Sequence, residues 1–419
     1  MLISPNFRQI PRRLNCYYII PEILKKVFSG LFYAQARKGK FAALAACGLC
    51  GGQGKMYLPL PDYTRNYIGC LMNLRRLGMA KIIELFNHKG GVSKTTTTFH
   101  IAWKLTQHNK NVLLVDGDPQ CNLTGMFLGE KFDEYYENDL TKNLNIKDAV
   151  SMAFAGRPQP IAAIECPSHI KNENLFIIPG HMNLSEYDSS LSLALNSNNA
   201  IVTLQNLPGA FYELIQKCCK KYEIDYVFID MNPGLSAMNQ TFFIYTDAFI
   251  VPTNPDPFSV MALKTLKMTL PKWKKWALQA RELFRESSYP LPVCDMKFIG
   301  VLIQRFYLRN HKAARPYTGK ISEIKKYIET EFSEELKKYD MVFDIGSLME
   351  EGLIADRCLG EIAEFGALIQ KANDSMLPVF ALTKADMGTT GNAFDSMEKK
   401  RKIFDETYDK IANVIMELI

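Results

Sequence analysis

The stretch NHKGGVSKTTTT, residues 87–98, reads as a phosphate-binding loop opening onto a helix, yet it breaks the commonest pattern for one. That pattern, G-x-x-x-x-G-K-[ST] aligned on Lys94 and Thr95, asks for glycine at positions 88 and 93. The chain has His88 and Ser93 there, and carries an additional lysine, Lys89, before Gly90 and Gly91. The flanking segments decide what the loop belongs to.

Upstream, KIIELF (81–86) is a short apolar run of buried-strand type. Downstream, TTTTFHIAWKLTQHNK (95–110) reads as a helix with Phe99, Ala102, Trp103 and Leu105 available to pack, and NVLLVDGD (111–118) as a second buried strand. Strand, loop, helix, strand at this spacing is a βαβ unit, which implies a parallel sheet with ligands at the carboxyl ends of the strands. The loop lies at such an end, where backbone N–H groups and the helix dipole hold phosphate oxygens. Gly90 and Gly91 allow close backbone approach, Lys94 reaches the outer phosphates, and the Thr95 hydroxyl is placed to bind Mg²⁺. Ser93, where a glycine is more usual, puts a Cβ into the loop.

Carboxylates support the same reading. VLLVDGDPQCNLT (112–124) ends its strand in Asp116 and Asp118, and YEIDYVFIDMNPG (222–234) is a further buried strand ending in Asp230. Any one of them alone would be an ordinary strand-end cap. Three beside a phosphate loop are the groups that hold a metal's water shell and orient an attacking water.

With 419 residues and 47% hydrophobic content, the chain can bury one large α/β core or two smaller domains. No apolar run approaches the roughly 18–20 residues that span a bilayer. The 10 cysteines show no zinc spacing beyond an isolated Cys47/Cys50 pair, and their usage is that of small core residues in a reduced, cytoplasmic chain. The net charge of +6 is unevenly spread: residues 1–78 carry 12 Lys/Arg against 2 Asp/Glu, and the remainder 38 against 42. Bulk charge therefore gives the main body no argument for nucleic acid, and any such surface must be a local patch.

Residues 1–78 lack clear periodicity, and the readable order begins abruptly at Met79. We expect a poorly structured extension there, with Met79 as the working start. Arg75 and Arg76 could be encoded AGG-AGG, a bacterial ribosome-binding sequence, two codons before it. Residues 79–419 are expected to form the main domain.

These residues resemble the ParA/MinD superfamily of deviant-Walker ATPases, and within it the ParA partition ATPases. The family loop K-G-G-x-x-K-[ST] is met by Lys89 to Thr95; VDGDPQCNLT resembles its D-x-D-P-Q-x-N motif and VFIDMNPG its Walker B strand, with Pro233-Gly234 where two prolines are usual. Softer similarity continues through 173–188, YTDAFIVPTNPDPFSVMAL (245–263, leading into the base pocket), 298–306 and 361–370. The resemblance implies an α/β fold: a parallel-sheet P-loop NTPase core with helices on both faces. It implies ATP and Mg²⁺ as cofactors, contacted by Lys89, Gly90, Gly91, Val92, Ser93, Lys94, Thr95, Thr96, Asp116 and Asp230. Lys89 would reach across a homodimer to the partner's nucleotide. Lys94 would bind the β and γ phosphates. Asp118 would position the hydrolytic water, Asp116 would support Lys94 and the metal, and Thr95, Asp118 and Asp230 would hold Mg²⁺, partly through water. A charge supplied in trans makes such enzymes slow until they dimerise.

Three functions fit that frame. A partition switch binds DNA nonspecifically, sits on the nucleoid, and is triggered by a ParB-like centromere-binding protein. Its basic surface would come from 304–320, with Arg305, Arg309, Lys312 and Arg315, or from 264–276, with Lys272, Lys274 and Lys275. A MinD-like membrane ATPase would use the C-terminal helix, where Phe404, Tyr408, Ile411, Ile415 and Leu418 share a face. Asp405, Glu406, Asp409 and Glu417 dilute its basic side, so we expect that helix on the body rather than on a membrane. An iron–sulfur reductase would need a companion for Cys121, and none is evident. A further reading, a DNA-binding regulator that does not hydrolyse ATP, is opposed only by the intact carboxylates. The stretch 307–360 reads as helical around EIKKYIETEFSEELKKY (323–339).

Overall fold

The computed structural model describes residues 79–196, 202–309 and 312–419. The expectations for residues 1–78, the Cys47/Cys50 pair included, lie outside the described residues.

Strand β1 (Lys81–Leu85) shows why a sheet forms here. Ile82 and Phe86 face one core, Ile83 and Leu85 the other, and all four are fully buried. A run apolar on both faces suits a central strand of a covered parallel sheet. The same holds for β2 (Val112–Asp116) and β5 (Tyr226–Asp230), in which every residue is buried. With β3 (Ser168–His169), β4 (Asn172–Ile178), β6 (Ala248–Thr253), β7 (Lys297–Gln304) and β10 (Cys358–Ile362), they make a sheet in the order β10-β7-β6-β1-β5-β2-β4-β3. Every pairing is parallel except β3 with β4. The sheet and the two apolar clusters on its faces are the fold expected of a P-loop NTPase.

One face is covered by α1 (Lys94–Gln107), α8 (Ala367–Asp374) and α9 (Gly391–Leu418), the other by α4 (Leu207–Lys221), α5 (Ala237–Phe243) and α6 (Ser259–Leu283). Two further helices, α2 (Asn122–Leu128) and α3 (Asp188–Asn196), follow β2 and β4. Helix α1 stops before the expected residue 110 because Asn109 turns left-handed, φ 58°. The C-terminal helix α9 buries Phe404, Tyr408, Ile411 and Ile415 against the body, as expected, with Leu418 half-buried. Among the described residues no helix is long and apolar enough to cross a membrane.

Two readings need correction. The stretch 307–360 is not helical from its start: β7 ends at Gln304, a two-stranded ribbon of β8 (Leu308–Arg309) and β9 (Lys312–Ala313) follows, and α7 (Arg315–Tyr327) begins after it. Lys274 is not a surface cation. It is buried in α6 and donates to the carbonyls of Asp295 (3.0 Å) and Asp340 (2.8 Å), leaving Lys272 and Lys275 exposed.

Candidate nucleotide-binding site

The carboxyl ends of β1, β2 and β5 meet at the loop 87–94. Asn87 anchors its entrance, donating to Pro252 O at 2.8 Å and accepting from Lys89 N at 3.0 Å. Gly91 (φ 70°) and Ser93 (φ 57°) both take left-handed backbone, and Ser93 caps α1 with no side-chain hydrogen bond. Ser93 is therefore a residue held where glycine is at ease.

Lys94 is buried, with its ammonium on the loop's own carbonyls, Asn87 O at 3.1 Å and Lys89 O at 3.4 Å. Burial lowers its pKa, opposed by the Asp230 and Asp118 charges. Thr95 donates from Oγ1 to Asp230 Oδ2 at 2.7 Å, while Asp230 Oδ1 is buried with no partner among the described residues. Burial raises the Asp230 pKa to about 8, with Asp116 adding to the shift.

The carboxylates are held differently. Asp116 is engaged with its own turn: its Oδ2 accepts from Thr124 N (2.8 Å) and Thr124 Oγ1 (2.6 Å), and its Oδ1 from Asp118 N (3.2 Å). It fastens the 116–124 turn, and α2 behind it. Asp118 accepts from Gln120 N at 2.9 Å and lies close enough to bear on Lys94. Lys89 pairs within its own chain, with Asp256 and with Ser259 Oγ at 3.3 Å.

Several contributors were not read from sequence. Asn254 donates to Gly91 O at 3.0 Å, so the 245–263 segment meets the phosphate loop itself. Arg305, read as a DNA contact, donates to the same Gly91 O at 2.8 Å and pairs with Glu364. Gln304 donates to Val92 O at 3.3 Å and accepts from Thr97 Oγ1 at 2.7 Å. His100 ties α1 to the C-terminal segment: Nδ1 meets Thr96 O at 2.7 Å, Nε2 accepts from Val379 N at 3.0 Å, and the ring stacks on Phe365. Burial pushes its pKa down to about 3, so the ring is neutral. Of the remaining cations read as DNA contacts, Arg309 and Arg315 are exposed, and Arg309 is the register partner of Lys312.

The arrangement fits a phosphate chain with a divalent metal. A lysine lies within the loop, a hydroxyl is paired with a strand-end carboxylate, and one carboxylate oxygen lacks a partner among the described residues. Among the described residues no three His, Cys, Asp or Glu side chains gather as a metal cluster. Magnesium held mainly by phosphate oxygens and water needs no such cluster.

The AAA domain family model matches residues 80–281. The virulence plasmid ParA family protein pGP5-D of Chlamydia psittaci is 28% identical over 46% of this chain and 62% of its own length. The chromosome partitioning protein ParA of Myxococcus xanthus is 25% identical over 61% of this chain and 74% of its own. These matches support a P-loop ATPase of the ParA/MinD type, to which the chain is similar. A solved structure of pNOB8 ParA bound to nonspecific DNA aligns with 81% of this chain and 98% of its own, at 19% identity and a TM-score of 0.46. The chain spans about half, 53%, of the length of the first curated relatives it matches.

Proposed function

We propose that this chain is a Mg-ATP-dependent, dimerising ATPase that binds DNA nonspecifically and drives plasmid or chromosome partition with a ParB-like centromere-binding partner. The observation that carries the reading is the Thr95–Asp230 hydrogen bond at the mouth of a lysine-bearing loop. Lys94 moves from the loop carbonyls onto the β and γ phosphates. Thr95 and Asp230 are the residues that would hold the metal and its water, and the metal would supply charge neutralisation. Asp118 orients the attacking water. Lys89 leaves Asp256 to act on the nucleotide of a second copy. The names of the Myxococcus and Chlamydia relatives support partition as the process.

DNA contact is assigned to the arm formed by β8, β9 and the start of α7. Arg315 opens α7, where a cation opposes the helix dipole, so helix stability does not account for it. Phosphate contact by Arg309, Lys312 and Arg315 gives a log–log salt slope of about −3 per protomer.

The test is DNA retention and ATP hydrolysis measured together. Lys94→Ala should lose ATP-dependent retention, whereas Asp118→Ala should keep retention and lose hydrolysis. Retention indifferent to nucleotide would reject the partition reading.

A further inference from the structure

The phosphate loop is clamped from outside by two consecutive residues at the end of β7. Arg305 Nη1 donates to Gly91 O at 2.8 Å and Gln304 Nε2 to Val92 O at 3.3 Å. A trans peptide carries its C=O and N–H on opposite sides. Holding the carbonyls of Gly91 and Val92 therefore turns the next two amides, Val92 N–H and Ser93 N–H, to the other side of the loop. In a phosphate loop, amides presented in this way are the anion-binding groups.

The clamp is itself tightly built. Gln304 is 1% exposed and fixed by Thr97 of α1. Arg305 sits at φ 62°, unusual for arginine, with its backbone N–H on Ile362 O at 3.0 Å and its Nε on Glu364 at 3.3 Å. A positive φ at a non-glycine residue is kept where surrounding contacts fix it.

The same residues lead directly into the cationic arm. Phe306 O accepts from Glu364 N at 3.0 Å, and Tyr307 O accepts from Ala314 N at 2.9 Å, closing the arm just before Arg315. Backbone and side-chain bonds therefore run unbroken from Gly91 through Arg305 and Glu364 to the base of the arm.

We propose that Gln304 and Arg305 are positioning residues that orient the loop amides for phosphate and transmit nucleotide occupancy to the Arg309–Arg315 arm. The two-state element is the Gly91–Val92 peptide, whose carbonyl Arg305 and Asn254 hold together and which glycine leaves free to turn when that carbonyl is released. The inference rests on the nucleotide reading of the loop and adds to it how the loop state reaches the surface.

The test is amide hydrogen exchange of the full chain with and without Mg-ATP, alongside nucleotide affinity. In the unchanged protein, ATP should protect both 88–94 and the flanks of the arm, 305–309 and 313–316. Arg305→Gln should weaken ATP binding about tenfold, as expected for one lost charged hydrogen bond. At saturating ATP this variant should keep protection at 88–94 and lose it in the arm, with an unchanged melting temperature. Arg305→Lys should restore part of the affinity, because one ammonium can meet Gly91 O but cannot also span to Glu364 as a guanidinium does. Arm protection unaffected by Arg305→Gln overturns the proposal, as does an arm indifferent to ATP in the unchanged protein while 88–94 responds. Absence of protection at 88–94 in the unchanged protein overturns the nucleotide reading, and this proposal with it.

Discussion

Asp116 and Asp230 are register partners at the carboxyl ends of β2 and β5, and both are fully buried. They are equivalent by position and opposite in use. Asp116 accepts three hydrogen bonds from its own turn, while Asp230 gives one oxygen to Thr95 and leaves the other without a partner. Asp116→Asn should therefore be a folding lesion, costing about 1–3 kcal/mol through donors left unpaired. Asp230→Asn should leave the melting temperature intact and remove the gain in ATP affinity that Mg²⁺ confers. Thermal melts and nucleotide titrations with and without Mg²⁺ separate the two. A Mg²⁺-sensitive Asp230→Asn protein would remove Asp230 from the metal site.

Lys89 and Asp256 form an ion pair whose side chains are 20% and 32% exposed. A partly exposed pair of this kind is worth no more than about 1 kcal/mol. Lys89 thus leaves it readily when a stronger anion is offered. Asp256→Asn keeps the acceptor for Phe258 N at the start of α6 and removes the charge. It should lower the ATP concentration needed for dimerisation by up to about fivefold, whereas Lys89→Ala should abolish ATP-dependent dimerisation altogether. Analytical ultracentrifugation across an ATP series measures both, and an unchanged Asp256→Asn midpoint would show that the pair restrains nothing.

The parts legible in the sequence were those encoded locally. Lys94, Thr95 and the strand ending in Asp230 announce themselves through a contiguous loop and short apolar runs. The clamp on the loop could not be read that way, since Asn254 and Arg305 meet Gly91 O from 163 and 214 residues away. An arginine in a basic stretch looks like a surface cation until the strand end turns it onto the loop. Lys274 is different, because its signal was present. Leu270, Trp273, Lys274 and Ala277 fall on one helical face, and all four are buried. The bonds that Asp116 accepts from Thr124 and Asp118 were not legible, because strand-end position fixes where a carboxylate starts and says little about which donors capture it.

Ser93 holds a left-handed conformation at the N-cap of α1 without a capping bond in return. Ser93→Gly removes a steric cost of about 1–2 kcal/mol and adds chain entropy of about 0.5–1 kcal/mol to the unfolded state. The net gain is on the order of 0.5 kcal/mol, a rise of about 1–2 °C in melting temperature for a domain of this size. Nucleotide affinity should be retained, since the loop path is unchanged. A clear fall in melting temperature would mean that the serine side chain contributes something its lack of a cap bond conceals.

Glu84 lies in β1 with no exposed surface, and neither carboxylate oxygen has a hydrogen-bond partner among the described residues. Burial raises its pKa well above 4.5, offset only in part by the Thr246 hydroxyl beside it. The folded chain therefore retains a proton there that the unfolded chain gives up. For an acid with a raised folded pKa, the stabilising contribution is full below the unfolded pKa and is lost as pH rises through the folded one. Asp116, raised by burial to about 6, has the same sign, and His100, lowered to about 3, has the opposite sign, losing stability as pH falls below its ordinary range. The difference between Glu84→Gln and the unchanged protein isolates the glutamate from both. At pH 5 the glutamine variant should melt no higher than the parent, because the neutral acid and the amide are nearly isosteric. By pH 9 it should melt several degrees higher, since the amide has no proton to surrender. Melting curves between those limits trace the crossing, and parallel curves would place the carboxyl in contact with a compensating charge.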